Sequence, residues 1–197
     1  MRYVVSLLAT LWLAILVGCG GGSSGSSQST QPTTTATTTS LSYQNPSSTT
    51  GFSLVQDTAA STSTHLVLDL VGPSGTQTLG VAIFLEVDTT KAVWSFPTTA
   101  AGAYVAPGSV ILLGSSPQML ASKVQNGALQ VGLFQKGGTA TTLGTAPILS
   151  VALDLNGSSV PKGTVELATQ SGKTSVSVNA DGTQSNITLN VGILTAQ

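Results

Sequence analysis

Between His65 and Val191 run after run sets apolar residues at every second position, and this period restricts the fold more than any other feature of the chain. His65-Leu66-Val67-Leu68-Asp69-Leu70 sets leucines on alternate places. Val81, Ile83, Leu85 and Val87 repeat the pattern, as do Leu129, Val131 and Leu133, and then Leu149, Val151, Leu153 and Leu155. Val165 with Leu167, Val176 with Val178, and Ile187, Leu189 with Val191 extend the series. Successive side chains of a strand point to opposite faces, so a period of two buries one face of each run. Turn signals separate the runs: Gly72-Pro73-Ser74-Gly75, Asn126-Gly127, Lys136-Gly137-Gly138, Asn156-Gly157, Pro161-Lys162-Gly163 and Asp181-Gly182. These residues accept positive φ or preset a bend. Val124 to Leu129 reads as a tight hairpin in which Asn126-Gly127 supplies a type I′ turn. No segment sustains a 3.6-residue period with caps; Met119 to Lys123 suits a helical turn or an edge strand equally. About nine short strands at this spacing predict an all-β, antiparallel sandwich over residues 51–197.

Composition supports the same class and excludes one partner. Only 7% of residues are charged and 5% aromatic, while β-branched and small residues dominate, and these sit well on a pleated surface. After residue 18 the chain carries five Lys, no Arg and seven carboxylates, and the formal charge of the whole is −1. Phosphate binding needs a concentrated basic surface, so no nucleic-acid partner is expected.

The chain opens MRYVVSLLATLWLAILVGCGGG, with its single cysteine, Cys19, directly behind an apolar run. Arg2 provides a minimal positive flank. Tyr3 to Val17, at 1.5 Å per residue, spans about 22 Å as a helix, short of the ~30 Å hydrocarbon core. That length favours a removable export signal over residues 1–18, the alternative being an uncleaved anchor with a chance cysteine. Leu16-Val17-Gly18-Cys19 resembles the bacterial lipobox. The resemblance implies that Cys19 becomes the first mature residue, its sulfur bearing diacylglycerol and its amine an acyl chain such as palmitate. Lipidation would place the protein outside the cytoplasm, lipid-anchored to the bacterial cell envelope, at the outer membrane or cell surface. From Gly20 to about Thr50, Ser, Thr, Gly, Gln and Pro dominate. Such a segment buries too little to offset chain ordering, so residues 19–50 are expected to form a tether with a typical reach of about 30 Å.

Three stretches of the β-rich part carry a further likeness. Gly80 to Val93 contains a strand that closes on a hydrophobic residue, an Asp and a short turn to a second hydrophobic. Ala128-Leu129-Gln130-Val131-Gly132-Leu133-Phe134 has the look of a central strand. Leu143 to Leu153 leads from Gly144 through Pro147 into a core strand. Together they resemble the cohesin-like domain, a nine-stranded jelly-roll sandwich related to family 2 and 3 carbohydrate-binding modules. The likeness spans roughly residues 51–190. It implies a non-catalytic binding module with a dockerin-like or other envelope protein as partner, or else a polysaccharide. Val151 and Leu153 stand where that family usually shows an aromatic, and no partner-binding residue transfers position by position.

Reactive constellations are sparse. The carboxylates are Asp57, Asp69, Glu86, Asp88, Asp154, Glu166 and Asp181. Asp69 and Asp154 alternate with leucines and so face solvent; Asp88 and Asp181 sit at turns, where Asp bonds nearby backbone. A glycosidase needs two carboxyl groups about 5–9.5 Å apart in a cleft, and this local grammar favours the turn reading. His65 is the only histidine and no Gly-x-Ser-x-Gly elbow accompanies it, so an exposed surface imidazole is expected. Without a second histidine or an Asp-x-Asp loop, no metal or other cofactor is expected.

Aromatic side chains offer one ligand hypothesis. Trp94 and Phe96 lie two apart, so both project to one side of an extended segment, and Tyr104 follows. The trio could stack on pyranose rings of a polysaccharide, or its large rings could plug the edge of the sandwich. Scarce aromatics and abundant small polar residues favour docking of a protein partner over sugar binding. The expectation is therefore a lipid-anchored, non-enzymatic binding module, with a structural envelope component as the remoter alternative.

Overall fold

The computed structural model describes residues 37–48, 50–99, 102–111, 113, 118–135 and 138–197. The expected export signal and Cys19 lie outside the described residues. In chain order the strands are β1 (Leu41–Gln44), β2 (Phe52–Gln56), β3 (His65–Val71), β4 (Gln77–Thr78), β5 (Gly80–Val87), β6 (Ala92–Ser95), β7 (Ala106–Pro107), β8 (Gln118–Gln125) and β9 (Ala128–Gln135). There follow β10 (Thr141–Thr142), β11 (Leu149–Leu155), β12 (Gly163–Val165), β13 (Leu167–Thr169), β14 (Val176–Val178), β15 (Gln184–Asn186), β16 (Leu189–Asn190) and β17 (Ile193–Ala196). Two sheets dominate. One runs β16-β2-β3-β11-β6, with β7 also on β11; the other runs β15-β14-β5-β9-β8, with β13 also on β5. A three-stranded sheet, β1-β17-β12, and a β10-β4 pair complete the set. All these pairings are antiparallel except β16 with β2.

The alternating runs of the sequence are the long strands. In β5 the burial pattern follows the period of two, with Val81, Ile83, Leu85 and Val87 inside. The facing sheet contributes Leu66, Leu68 and Leu70 from β3 and Leu149, Val151 and Leu153 from β11, and all six are fully or almost fully buried. Leu129, Val131 and Leu133 of β9 close the same core. Asn126 (φ 51°) and Gly127 (φ 80°) both take positive φ between β8 and β9, as a two-residue type I′ connection requires. Met119 to Lys123 is edge strand, not helical turn.

Among the described residues seventeen short segments replace the roughly nine strands expected, because strands change sheets midway. Val165 of β12 pairs with Leu194 of β17, and two residues on Leu167 of β13 pairs with Val87 of β5. The jelly-roll outline is unchanged by these switches.

A larger correction concerns the start of the domain. Leu41 and Tyr43 lie inside the segment expected to be tether, yet β1 pairs along its full length with β17 and both side chains are buried. Thr38 donates its amide to Val160 O at 2.8 Å, and Thr39 to Gln197 O at 2.8 Å. The Tyr43 hydroxyl donates to Leu54 O at 3.1 Å and accepts from Gly192 N at 2.7 Å. Burial pushes this hydroxyl up to about 12, against the lowering effect of the Gly192 amide. The folded part therefore begins before residue 41, not at 51. Alternation across only two apolar positions, 41 and 43, is too short to stand out from the Ser/Thr background.

Candidate docking face

The outer surface of the β15-β14-β5-β9-β8 sheet follows from register. Val176, Ala82, Gly132 and Ala121 lie side by side across four strands, in one row on the outward phase. The next outward row on one side is Phe84, Gln130 and Lys123; on the other side it is Val178, Gly80 and Phe134. Rows of one face stand about 6.7 Å apart along a strand, so the two flanking rows are about 13 Å apart. Small side chains between larger ones make a shallow trough that crosses the strands. Two hollows mark it, of about 270 Å³ around Ala82, Phe84, Ala121 and Gly132 and about 220 Å³ around Ala82, Phe134, Val176 and Val178. Lys123 and Glu86 are the only charged outward residues on these five strands. No single residue in this row signals binding; only the register places Ala82, Gly132 and Ala121 together, which is why sequence reading missed the face.

The aromatic trio is divided by the fold. Trp94 sits on β6 opposite Leu153, is only 6% exposed, and its indole Nε1 donates to Gly127 O at 2.7 Å. It plugs the edge of the sandwich and does not face solvent. Strand β6 ends at Ser95, so the two-residue spacing no longer holds Phe96 to Trp94's side, and Phe96 is 43% exposed. Its ring meets that of half-buried Tyr104, centroids 4.9 Å apart and planes tilted by 60°. Two rings so inclined form no flat stacking platform.

His65 is not the free surface imidazole expected. At the head of β3 it stands opposite Asp154 of β11, and its Nδ1 is hydrogen-bonded to Asp154 Oδ1. Asp69 does take the outward phase, but it is half-buried and accepts a 2.6 Å bond from Ser150 Oγ. Burial raises the Asp69 carboxyl above its ordinary range, against the lowering effect of Ser150 and with a smaller push from Asp57. A raised carboxyl of this kind favours the fold most at low pH and loses that contribution as pH rises through the folded value. Asp57 caps its own turn through Ala59 and Ala60 amides at 2.9 and 3.1 Å. Asp88 and Asp181 make matching turns: each Oδ1 accepts from the amide (2.9 Å) and hydroxyl (2.6 Å) of the threonine two residues on. These bonds hold both carboxyls below the usual range. Glu86 lies on the outer face of β5, where its Oε2 accepts from Ser171 N at 3.4 Å. Glu166 links β12 to β13, its carbonyl accepting from Asp88 N at 2.8 Å.

Among the described residues, five surface hollows are found and none of them is lined by Asp, Glu or His. Among the described residues no three His, Cys, Asp or Glu side chains gather as a metal site would need, and no helix is long and apolar enough to cross a membrane.

No known family pattern and no curated protein matches the sequence. Solved structures do match. A type II cohesin domain from the cellulosome of Acetivibrio cellulolyticus superposes with a TM-score of 0.51 at 10% identity, over 72% of this chain and 91% of that one. The fold is cohesin-like. The type II cohesin dyad from the adaptor ScaA scaffoldin of the same organism gives 0.51 at 12% identity, over 72% of this chain and 46% of the dyad. The sixth cohesin of scaffoldin B, solved in complex with a mutant Cel5 dockerin, gives 0.48 at 13% identity over 66% of this chain and 86% of that one. The parallel β16–β2 contact joins two strands 137 residues apart within one sheet, Leu189 opposite Phe52 and Asn190 opposite Ser53.

Proposed function

We propose that the domain is a non-catalytic docking module that receives a protein partner across the outer face of β14, β5, β9 and β8. The observation that carries this reading is the largely apolar trough over Ala82, Gly132 and Ala121, whose one charged lining residue is Lys123. Its flanking rows, about 13 Å apart, match the 10–12 Å diameter of a helix with its side chains. A flat sheet face with small residues in the middle lets a partner backbone approach closely, and Phe84 and Phe134 supply apolar anchors at its sides. The cohesin-like fold supports the same class, and the partner that the sequence resemblance implies is a dockerin-like or other envelope protein. Polysaccharide binding through Phe96 and Tyr104 is the weaker alternative, since Trp94 is removed from the surface and the remaining rings are tilted.

The test is affinity capture from solubilised envelopes of producing cells. The unsubstituted domain, Ala82→Arg and the remote control Lys162→Ala are compared, and retained proteins are identified by mass spectrometry. A long charged side chain in the trough is expected to weaken retention of a specific protein at least about 30-fold, or about 2 kcal/mol, with the control unchanged. Equal retention by Ala82→Arg, or retention of glycan alone, would overturn the reading.

The module is held at the cell envelope, in this proposal, by acyl chains on Cys19. One acyl chain binds a membrane only marginally, whereas two or more anchor it stably. Labelled palmitate should enter the unsubstituted chain and be absent from Cys19→Ala, which should leave the membrane fraction. Equal labelling of both chains would rule out this anchor.

A further inference from the structure

The edge of the docking sheet carries a second feature. Strand β8 ends that sheet, and its hydrogen-bonding phase is fixed by the hairpin. Gln125 and Ala128 close the two-residue turn as a bonded pair, so Lys123 and Ala121 also direct their backbone groups to β9. The N–H and C=O groups of Leu120, Ser122 and Val124 then point away from the sheet. Among the described residues no backbone group bonds to them. The side-chain hydroxyl of Ser122 accepts from Tyr104 N at 3.1 Å, which brings Tyr104, and Phe96 in tilted contact with its ring, to the same rim. Leu120 lies on the core-facing phase yet is 37% exposed. Thus two of the three large exposed apolar side chains among the described residues, Leu120 and Phe96, border one unpaired strand edge.

We infer that a second copy of this chain pairs with β8, antiparallel and about a two-fold axis at Ser122, to join the two β15-β14-β5-β9-β8 sheets into one continuous sheet. The register is the one in which β8 and a second copy of it complement each other across the axis. With Ser122 opposite Ser122 of the second copy, Leu120 meets Val124, and about six new backbone hydrogen bonds satisfy the open edge. Lys123 falls opposite Ala121 rather than another lysine, so no like charges face each other. The contact is isologous and closes on itself. Both apolar rims of Leu120, Val124, Tyr104 and Phe96 come together beneath the joined strands. Because the axis is perpendicular to the sheet, the two docking faces look the same way, and a partner carrying two docking elements would gain avidity.

In this register Ala121 and Lys123 form a non-bonded cross-strand pair, the close spacing that a disulfide can bridge. Full-length chains purified in detergent, one Ala121→Cys and the other Lys123→Cys, are oxidised separately and as a mixture. The mixture is expected to yield a disulfide-linked dimer, and each variant alone no more than the unsubstituted chain, which controls for Cys19. Adding Leu120→Lys to both should reduce the product at least about tenfold. Absence of the mixed product in chains that keep a strand-type dichroism spectrum would overturn the proposal. So would equal dimer from either variant alone, which would indicate another register or none. Loss of partner capture by Ala82→Arg is a separate outcome, so the two readings fail independently.

Discussion

Trp94→Ala is expected to remove about 3–5 kcal/mol from the stability of the domain. The indole is among the largest side chains of the core, and in that position it spans the gap between the β6 edge and the β8–β9 turn. It lies against Leu153 on its own sheet and is tied by its Nε1 to Gly127 O on the other. Truncation leaves a cavity that neither sheet can close, because both backbones are held by their ladders. Domains of this size have only about 5–15 kcal/mol in all, so the loss is a large fraction of the total. Urea denaturation followed by tryptophan-independent dichroism measures the loss. Trp94→Phe separates the two contributions: it keeps most of the volume and loses only the indole bond, about 1 kcal/mol, since Gly127 O still accepts from Val87 N at 3.0 Å. Phe96→Ala, half-exposed beyond the strand, should cost no more than about 1 kcal/mol. A loss below about 1 kcal/mol for Trp94→Ala would mean that the indole does not bridge the sheets.

The second large effect concerns the boundary at β1. A chain beginning at residue 37 should unfold cooperatively, whereas one beginning at residue 51 should be largely unfolded or aggregated. Deleting β1 removes the buried side chains of Leu41 and Tyr43, each worth about 1.5–3 kcal/mol. It also leaves Leu54 O and Gly192 N without the Tyr43 hydroxyl and opens the edge of β17 along Ile193 to Ala196. An orphaned buried polar group costs about 1–3 kcal/mol, so the total approaches the stability of the whole domain. Gly192 shows how tightly this corner is built: a Cβ there would lie 2.0 Å from Gln44 O. Scanning calorimetry on the two truncations decides the matter, and equal melting temperatures would show that β1 is dispensable.

The limits of sequence reading follow from what each signal encodes. Long amphipathic strands such as β3, β5, β9 and β11 were legible because one buried face imposes a strict period on seven or eight residues. The β8–β9 turn was legible because Asn-Gly is chemically suited to positive φ at two successive positions. The Asx turns at Asp88 and Asp181 were local for the same reason. Trp94 and Phe96 misled, since a two-residue spacing assigns a common side only while the segment stays extended, and β6 stops at Ser95. His65 was likewise read from its own strand, while its partner Asp154 lies 89 positions away. The 2-residue period of Leu41 and Tyr43 was present but too brief to separate from chance.

Alternation and turn chemistry alone thus determined that this chain is an antiparallel sandwich, since burying a face and reversing direction are demands that a few neighbouring residues can meet. Which residues share a surface was decided only by tertiary structure. Ala82, Gly132, Ala121 and Val176 become one trough, and Leu120 joins Phe96 at one rim, because strand register aligns positions distant in the chain. Register is a collective property of paired strands, so no single strand's residues specify it.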